Sequence, residues 1–342
     1  SSFTAPTDRT ILYVNPNRKD ALFHQYNLTL QYGFWNDWLA EVAYVGSTGR
    51  NLQIVRNIGN GNDAGAPGSR QIRNISNVIE TNYLGDFSYN ALQSKLEKRL
   101  SNGLSLLTTY TFAKAIDNTP GGFCLNGAGQ RNCGPDNPLD IDNDRALSDT
   151  DVRHRINIAS VYELPVGRGR RFFGNMPKFL DYIVGNWQLN NIINLQSGPV
   201  YDVQFNGGRV DIIGDPTPTA QQLAEGRQLN INAFRAAQTR IFTNDPTCFN
   251  AQGQYNCAFI GNLGRNTFRG DFQEYWDASV FKNIPLSFIN EGAKFEIRIS
   301  AFNVTNHVNR GRPNGNIGDG NFGKDNNEQR RRQLEFGGRI VF

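Results

Sequence analysis

The chain has no long apolar run: no stretch of its 342 residues approaches the roughly 20 apolar residues that a membrane-spanning helix needs. This absence excludes a helical membrane protein. It does not exclude a β-barrel, because only every second residue of a barrel strand has to be apolar. The sequence also has a single Met and few runs of helix-forming residues. The net charge of +4 is too small and too dispersed to indicate nucleic acid as a partner.

Histidine is scarce as well, with three residues in the whole chain. Asp149 and Asp151 precede His154 closely, and an Asp–His pair can activate water. The rest of a catalytic constellation is missing, however, and the strand period places His154 on the same face as Ile156. The sequence therefore predicts no enzyme, and it predicts no cofactor.

Cysteine is limited to four residues, which form two pairs with eight residues between the members of each: Cys124 with Cys133, and Cys248 with Cys257. Both pairs lie in segments rich in Gly, Asn and Pro. Two local loop disulfides would fit an exported, oxidised protein. A four-cysteine metal site is the alternative, although zinc favours pairs separated by about two to four residues.

Alternation of apolar and polar residues is the dominant pattern, and it predicts strands with one apolar face. It is clearest in the last segment, where the apolar face carries Leu334, Phe336, Gly338, Ile340 and Phe342. Eight earlier segments share the pattern, near residues 23–33, 37–47, 89–100, 103–115, 152–164, 187–198, 272–283 and 294–305. The segment 11–15 is a short candidate for a tenth strand.

Short and long connectors alternate strictly between these segments. The shorter ones lie near residues 34–36, 101–103, 165–186 and 284–293. The longer ones lie near residues 48–88, 116–151, 199–271 and 306–332. Outer-membrane barrels have short periplasmic turns and long external loops, whereas a soluble β-sandwich has no reason for this order. We therefore predict an all-β fold in the bacterial outer membrane, with residues 21–342 forming part of an antiparallel transmembrane β-barrel and residues 1–20 ending an extracellular loop.

This orientation assigns roles to two sets of side chains. The periplasmic side would hold an interfacial aromatic girdle made of Trp35, Trp38, Trp187 and Phe342. A last strand that ends on an aromatic residue is itself typical of outer-membrane barrels. The polar face would line the lumen with Lys95, Glu97, Arg99, Arg153, Arg155, Glu296 and Arg298. In a soluble protein the same residues would simply be solvated, and periodicity alone does not separate the two interpretations.

The predicted external loops carry two further motifs. Asp140, Asp142, Asp144 and Asp151 follow the spacing of a calcium loop, but Arg145 stands where an EF-hand needs Gly, so a solvated acidic loop is the alternative. The three arginines at residues 330–332 could bind lipopolysaccharide phosphates, since Arg binds phosphate bidentately.

A second basic cluster occupies a predicted periplasmic turn and consists of Arg168, Arg170 and Arg171. Both basic clusters could equally be solvated charge. Aromatic residues of the long loops, such as Tyr201 and Phe234, are interpreted as loop packing rather than as substrate contacts.

Nearly the whole chain resembles the Oar-like branch of TonB-dependent outer-membrane receptors. The stretches that carry the resemblance, in matching order and spacing, are QYNLT (25–29), AYVGS (43–47), YNALQ (89–93), LEKR (96–99), YTFAKA (110–115), SDTDVRHR (148–155), YELP (162–165), GNWQLN (185–190), GNLGRN (261–266) and AFNVTNH (301–307).

The resemblance implies a barrel of about 22 strands that encloses a plug and is energised by TonB for uptake of a substrate. The chain would then hold the last nine strands, with the remaining barrel and the plug on another or missing segment, and TonB as an indirect partner. A structural or adhesion subunit of the outer membrane is the alternative function.

Overall fold

A computed structural model describes residues 10–57, 77–119, 135, 140–205, 208–237, 260–286, 292–325, 328–329 and 331–342. The strands are β1 (Thr10–Val14), β2 (Leu22–Phe34), β3 (Trp38–Asn57), β4 (Asn77–Ser101), β5 (Leu104–Asp117), β6 (Ala146–Leu147), β7 (His154–Glu163), β8 (Trp187–Gln196), β9 (Val200–Tyr201), β10 (Gln204–Phe205), β11 (Gly208–Ile212), β12 (Phe234–Ala236), β13 (Phe268–Arg269), β14 (Gln273–Pro285), β15 (Lys294–Phe302), β16 (Asn309–Arg310), β17 (Glu328–Gln329) and β18 (Gln333–Val341). The helices are α1 (Lys178–Val184) and α2 (Ala220–Ala224), with two 3₁₀ turns at Ile141–Asp144 and Ile231–Ala233. None of the helices within these ranges has the length and apolarity needed to cross a membrane.

One large sheet dominates the fold, and its strands follow the order β18-β15-β14-β8-β7-β5-β4-β3-β2. Every neighbouring pair along this path is antiparallel. The nine strands of the path are the nine that the alternation predicts, so the all-β, antiparallel class is confirmed. The connectors β2–β3, β4–β5, β7–β8 and β14–β15 all lie at one end of the sheet, which we call the short-turn end.

The register of the strands separates two faces. Directly opposite residues share a face of a sheet, and Gln31, Glu41, Lys95, Thr109 and Asn157 form one continuous polar row across five strands. An apolar row on the other face runs through Leu28, Tyr44, Leu92 and Phe112. These four side chains are among the exposed large hydrophobic residues of the chain, which is the arrangement of a sheet that meets lipid on one face.

The structure corrects two predicted boundaries. β3 has 20 residues and β4 has 25, whereas a barrel strand needs only about 9–11 residues to cross a membrane. Much of the predicted loop 48–88 is therefore paired strand. The alternation fails in this region because a register shift between Gly49 and Leu52 interrupts the pairing pattern without ending it. Residues 10–14 fall in the predicted loop end and cover most of the candidate tenth strand at 11–15; they form β1, which pairs in parallel with residues 77–81 of β4.

The predicted loops at the other end of the sheet fold into a packed unit of their own. We call the described residues of 199–237, 260–271 and 311–325 the outer loop unit. Its core contains Tyr201, Val203, Val210, Leu229, Ala233, Phe234, Leu263 and Phe322. Short antiparallel pairs, β10-β11-β12 and β9-β13, frame this core. Helix α2 begins with a capping box between Thr219 and Gln222, which satisfies its first free amides.

Candidate functional site

Three arginine–aspartate pairs fasten the outer loop unit to the rim of the large sheet: Arg209–Asp144, Arg265–Asp117 and Arg269–Asp151. Each arginine belongs to the outer loop unit, and each aspartate lies in β5 or in the segment between β5 and β7. Five of these six side chains are no more than 8% exposed, and the sixth, Arg269, is 26% exposed. Charges are costly to bury unless they are paired and hydrogen-bonded, so these contacts fix the position of the unit over the rim.

Asp151 uses both carboxylate oxygens. Oδ1 accepts a hydrogen bond of 2.7 Å from the backbone N–H of Ala115, and Oδ2 accepts one of 2.6 Å from Arg269. Arg269 also donates to the carbonyl oxygen of Gly198 at 2.9 Å. A single aspartate thus ties the end of β5 to the segment before β7 and to the outer loop unit.

Several residues of the GNLGRN stretch at 261–266 have a structural role that depends on their residue type. Gly261 packs so closely against the backbone of Val210 that a Cβ would collide with it. Leu263 enters the core of the outer loop unit. Arg265 donates to the carboxylate and the carbonyl oxygen of Asp117, and its Nε donates to the carbonyl oxygen of Asp144 at 3.2 Å.

Asn266 completes this stretch in a left-handed backbone conformation, with a φ of 51°. Its N–H donates to Asp202, and its side-chain amide donates to the carbonyl oxygen of Leu147 at 2.8 Å and to Asp149 at 2.6 Å. Asn tolerates positive φ better than most residues. The sequence marks this stretch only through the family resemblance, because the partners of Gly261, Arg265 and Asn266 lie more than 50 residues away.

The four aspartates predicted as a calcium loop do not converge. Asp144 and Asp151 face arginines, and Asp142 accepts a hydrogen bond of 3.0 Å from the Asn118 amide. Across the described ranges no group of three His, Cys, Asp or Glu residues is arranged to hold a metal ion. The four cysteines predicted as disulfides, at residues 124, 133, 248 and 257, lie outside the described residues.

His154 packs among aromatic rings on the apolar face. Its Nδ1 lies 2.9 Å from the hydroxyl of Tyr110, and its ring centroid is 5.0 Å from that of Phe112. The imidazole therefore occupies the face that the strand period predicts. Tyr201 stacks on Phe268, and Phe234 meets the same ring edge-on in the outer loop unit, which agrees with their interpretation as loop packing.

Charged residues of the polar face pair with one another. Lys95 and Glu97 form an ion pair of 2.8 Å. Glu296 accepts hydrogen bonds from Arg339 of β18 at 2.6 Å, and it also pairs with Lys294 at 2.7 Å.

Two other arginines extend this charged surface. Arg298 approaches Glu335 at 3.8 Å, and Arg155 donates to Gln196 at 3.2 Å. Paired charges on one face form the wall that a wet or plugged lumen would need.

Arg153 departs from the predicted lumen set. It lies just before β7, where strand pairing no longer enforces alternation, and its guanidinium is 5.8 Å from the ring centroid of Phe112. The guanidinium is attracted to the negative face of the ring. Its charge is therefore drawn to a residue of the apolar face. Arg99 lies in the bulge at the end of β4, where the pairing with β5 shifts register, and its backbone N–H donates to the carbonyl oxygen of Asp37 in the β2–β3 turn.

The four predicted girdle residues all lie at the short-turn end. Trp35 in the β2–β3 turn and Phe342 after β18 are 78% and 79% exposed. Trp38 opens β3, and Trp187 opens β8. Lysines cover the two strand tryptophans: Lys98 lies 5.8 Å from the ring centroid of Trp38, and Lys282 lies 5.4 Å from that of Trp187.

Asp37 links the two hairpin turns of β2–β5. Its carboxylate accepts hydrogen bonds from Lys98 at 2.6 Å and from the hydroxyl of Ser101. These hydrogen bonds hold the pKa of Asp37 below its ordinary value, and the one from Lys98 has the larger effect. Asp37 is therefore ionised at neutral pH and joins the β2–β3 turn to the β4–β5 turn.

A sequence profile described as "Outer membrane beta barrel domain" matches residues 1–335. Among solved structures, the chain is similar to the outer membrane transporter YddB from Escherichia coli, with 9% identity and a TM-score of 0.46, covering 98% of this chain and 33% of that one. It is also similar to the FrpB iron transporter from Neisseria meningitidis (F3-3 variant), with 10% identity and a TM-score of 0.41, covering 96% and 32%. The chain thus spans about a third of each transporter. No curated protein sequence matches it.

Proposed function

Since the chain belongs to the outer membrane beta barrel domain family and lies in the outer membrane, we propose that it is the barrel portion of a TonB-dependent receptor of the Oar-like type. Such a receptor takes up its substrate with energy supplied through TonB. The chain contributes the external capture surface and part of the barrel wall, and it carries out no catalysis.

The outer loop unit is the observation that carries this function. A passive pore can leave its external loops loose, whereas a receptor needs a surface of fixed shape to bind a ligand selectively. Here the external segments form a core around Val210 and Phe234 and are fastened to the rim by three ion pairs, two of them buried and the third partly exposed. A receptor of this kind needs a fixed surface that captures the ligand and a polar wall along which the ligand then passes.

The two edges of the sheet support the need for further barrel strands. β2 and β18 stand at the ends of the strand order, and almost every described residue of both is exposed. Backbone groups at an open edge cannot remain unpaired in lipid. We propose that a further barrel segment pairs with these edges and that a plug fills the enclosed lumen. Lipopolysaccharide phosphates are the proposed partners of the arginines at residues 330–332.

Two measurements on the protein as isolated from outer membranes test the receptor. Its intact mass should far exceed the 38.3 kDa of this chain, either in one polypeptide or in a complex that survives without boiling. The soluble periplasmic domain of TonB should bind it in surface plasmon resonance. A lone 38.3 kDa species, or regular edge-to-edge association of identical chains, would favour the structural or adhesion subunit instead.

Uptake itself is tested with a defined mixture of peptides and oligosaccharides, whose depletion from the medium is followed by mass spectrometry. Depletion of at least one component should require the protein and should stop when a protonophore removes the proton gradient. R265Q, which removes a buried anchor of the outer loop unit, should reduce this depletion. R310Q is the matched control, because Arg310 pairs with Asp271 at the exposed surface. Depletion that persists without the proton gradient would exclude energised uptake.

A further inference from the structure

The connector between β7 and β8 exposes more apolar surface than a solvated turn needs. We call residues 165–186, which include α1, the foot segment. Four of its large apolar side chains are at least half exposed: Phe172 at 50%, Phe173 at 71%, Phe179 at 66% and Ile183 at 64%. Phe179 and Ile183 are four positions apart on α1 and therefore lie on one face of that helix. Large exposed apolar side chains grouped in this way mark an interaction surface.

The foot segment is hydrogen-bonded to residues on the apolar face of the sheet. The indole N–H of Trp187 donates to the carbonyl oxygen of Ile183 at 3.0 Å. Trp187 pairs in register with Lys282, whose ammonium donates to the carbonyl oxygen of Gly185. Trp187 shares its strand face with Leu189, two positions along β8. The apolar surface of the foot segment is therefore continuous with the face that meets lipid.

The charge of the foot segment is strongly asymmetric. It contains four basic residues, Arg168, Arg170, Arg171 and Lys178, and one acidic residue, Asp181. Oδ1 of Asp181 accepts the backbone N–H of Arg168 at 2.7 Å, so the carboxylate stabilises the turn internally. Glu163 of β7 approaches Arg170 at 3.4 Å in an exposed pair, which contributes little to stability. The foot segment therefore presents net positive charge beside its apolar rings.

We propose that the foot segment is an interfacial anchor in the periplasmic leaflet of the outer membrane. Its exposed rings insert at the level where headgroups meet acyl chains, and its basic residues bind the phosphates of anionic phospholipids. Interfacial segments combine an apolar surface with Lys and Arg in this way, and each basic residue near an anionic leaflet strengthens binding. Continuity with the lipid-facing side of the sheet and the complementary charge favour lipid over a protein partner. The anchor rests on the outer-membrane location and does not depend on transport.

Photo-crosslinking tests the position of the rings. The protein as isolated from outer membranes is prepared with p-benzoylphenylalanine in place of Phe179 and reconstituted in nanodiscs of equal phosphatidylglycerol and phosphatidylcholine. Mass spectrometry after irradiation should find a phospholipid adduct. Phe336, 75% exposed on the apolar face, is the positive control, and Phe205, 37% exposed in the outer loop unit, is the negative control. A lipid yield at position 179 no higher than at position 205 overturns the anchor.

The same preparation tests the charge. Wild type carrying the probe at position 179 should give at least a twofold excess of phosphatidylglycerol over phosphatidylcholine adducts. Replacing Arg168, Arg171 and Lys178 with Gln should bring the ratio close to one, while the probe at position 336 should show no such change. An unchanged excess in the Gln variant contradicts the role of these basic residues. Crosslinking in whole outer membranes that gives one protein adduct instead of lipid would overturn the anchor in favour of a protein partner.

Discussion

Arg265 and Asp117 form a buried ion pair across 148 residues of sequence, in which Nη2 of the arginine donates both to the carboxylate and, at 2.9 Å, to the carbonyl oxygen of the same aspartate. The pair joins the outer loop unit to the last residue of β5. Because β5 lies within the continuous sheet, the position of the external surface is set by a strand of the barrel wall.

Removing one partner of this pair should loosen the outer loop unit. R265Q leaves the carboxylate of Asp117 buried without its cation, which typically costs about 3–5 kcal/mol. We expect hydrogen exchange in residues 199–237 and 260–271 to rise by orders of magnitude while the strands of the sheet stay protected. R310Q, at an exposed pair, should cost at most about 1 kcal/mol. Equal effects of the two variants would show that the buried pair does not hold the unit.

Two adjacent residues of β7 test the assignment of the faces. Ile158 lies opposite Thr108 and Ile193, and Asn157 lies opposite Thr109 and Asn194. Arginine placed at a lipid-facing site near the bilayer midplane costs about 2–4 kcal/mol, whereas a lumen-facing site tolerates it. Ile158→Arg should therefore lower the free energy of unfolding in lipid vesicles by that amount, and Asn157→Arg should leave it nearly unchanged. The reverse order of effects would place the polar face toward lipid.

The turn carboxylate Asp37 predicts a pH dependence at the short-turn end. Its pKa in the folded protein lies below the ordinary value of 3.8, mainly because Lys98 donates to it. A lowered pKa stabilises the folded state above the ordinary value, and this contribution is lost as the pH falls through the folded pKa. Protection of residues 34–38 and 98–104 in hydrogen exchange, corrected for intrinsic rates, should be constant near neutral pH and fall below about pH 3.8.

Asp37→Asn supplies the control for this acid transition. The variant should show reduced protection of both turns already at neutral pH, and the step in acid should disappear. A step that persists in the variant would assign the transition to another carboxylate.

Calcium should not stabilise the external segments through residues 140–151. One carboxylate oxygen of Asp144 faces Arg209 and one of Asp151 faces Arg269, so a cation bound by both carboxylates would have to displace two guanidinium groups. Chelation of calcium should therefore leave the exchange protection of the outer loop unit and its thermal transition unchanged. A shift of the transition temperature on adding calcium that Asp142→Asn abolishes would instead establish the calcium loop that the spacing suggests.

The sequence predicts the sheet well because strand alternation is a local pattern. The polar row through Glu41, Lys95 and Asn157 is predictable because polar residues recur at every second position within each strand. The connector lengths in turn place the short turns at one end of the sheet. Where the pattern is interrupted, as between Gly49 and Leu52, the predicted strand stops although the pairing continues. Local periodicity therefore gives the faces of the sheet and underestimates the length of its longest strands.

The outer loop unit was not predictable in the same way. Val203, Val210 and Phe322 share one core, but no period links them along the chain. The buried ion pairs likewise join residues more than 60 positions apart. Such contacts are set by tertiary packing, and in the sequence they are visible only as the stretches that resemble a family.

The long hairpin of β3 and β4 has a consequence for the cell surface. β4 exceeds a membrane-crossing strand by about 14 residues, and a tilted strand of that length rises roughly 30 Å. With β1 paired alongside β4, the hairpin extends above the lipid headgroups as a three-stranded sheet. Part of the exposed side of this outer-membrane protein is therefore built from paired strand rather than from loop.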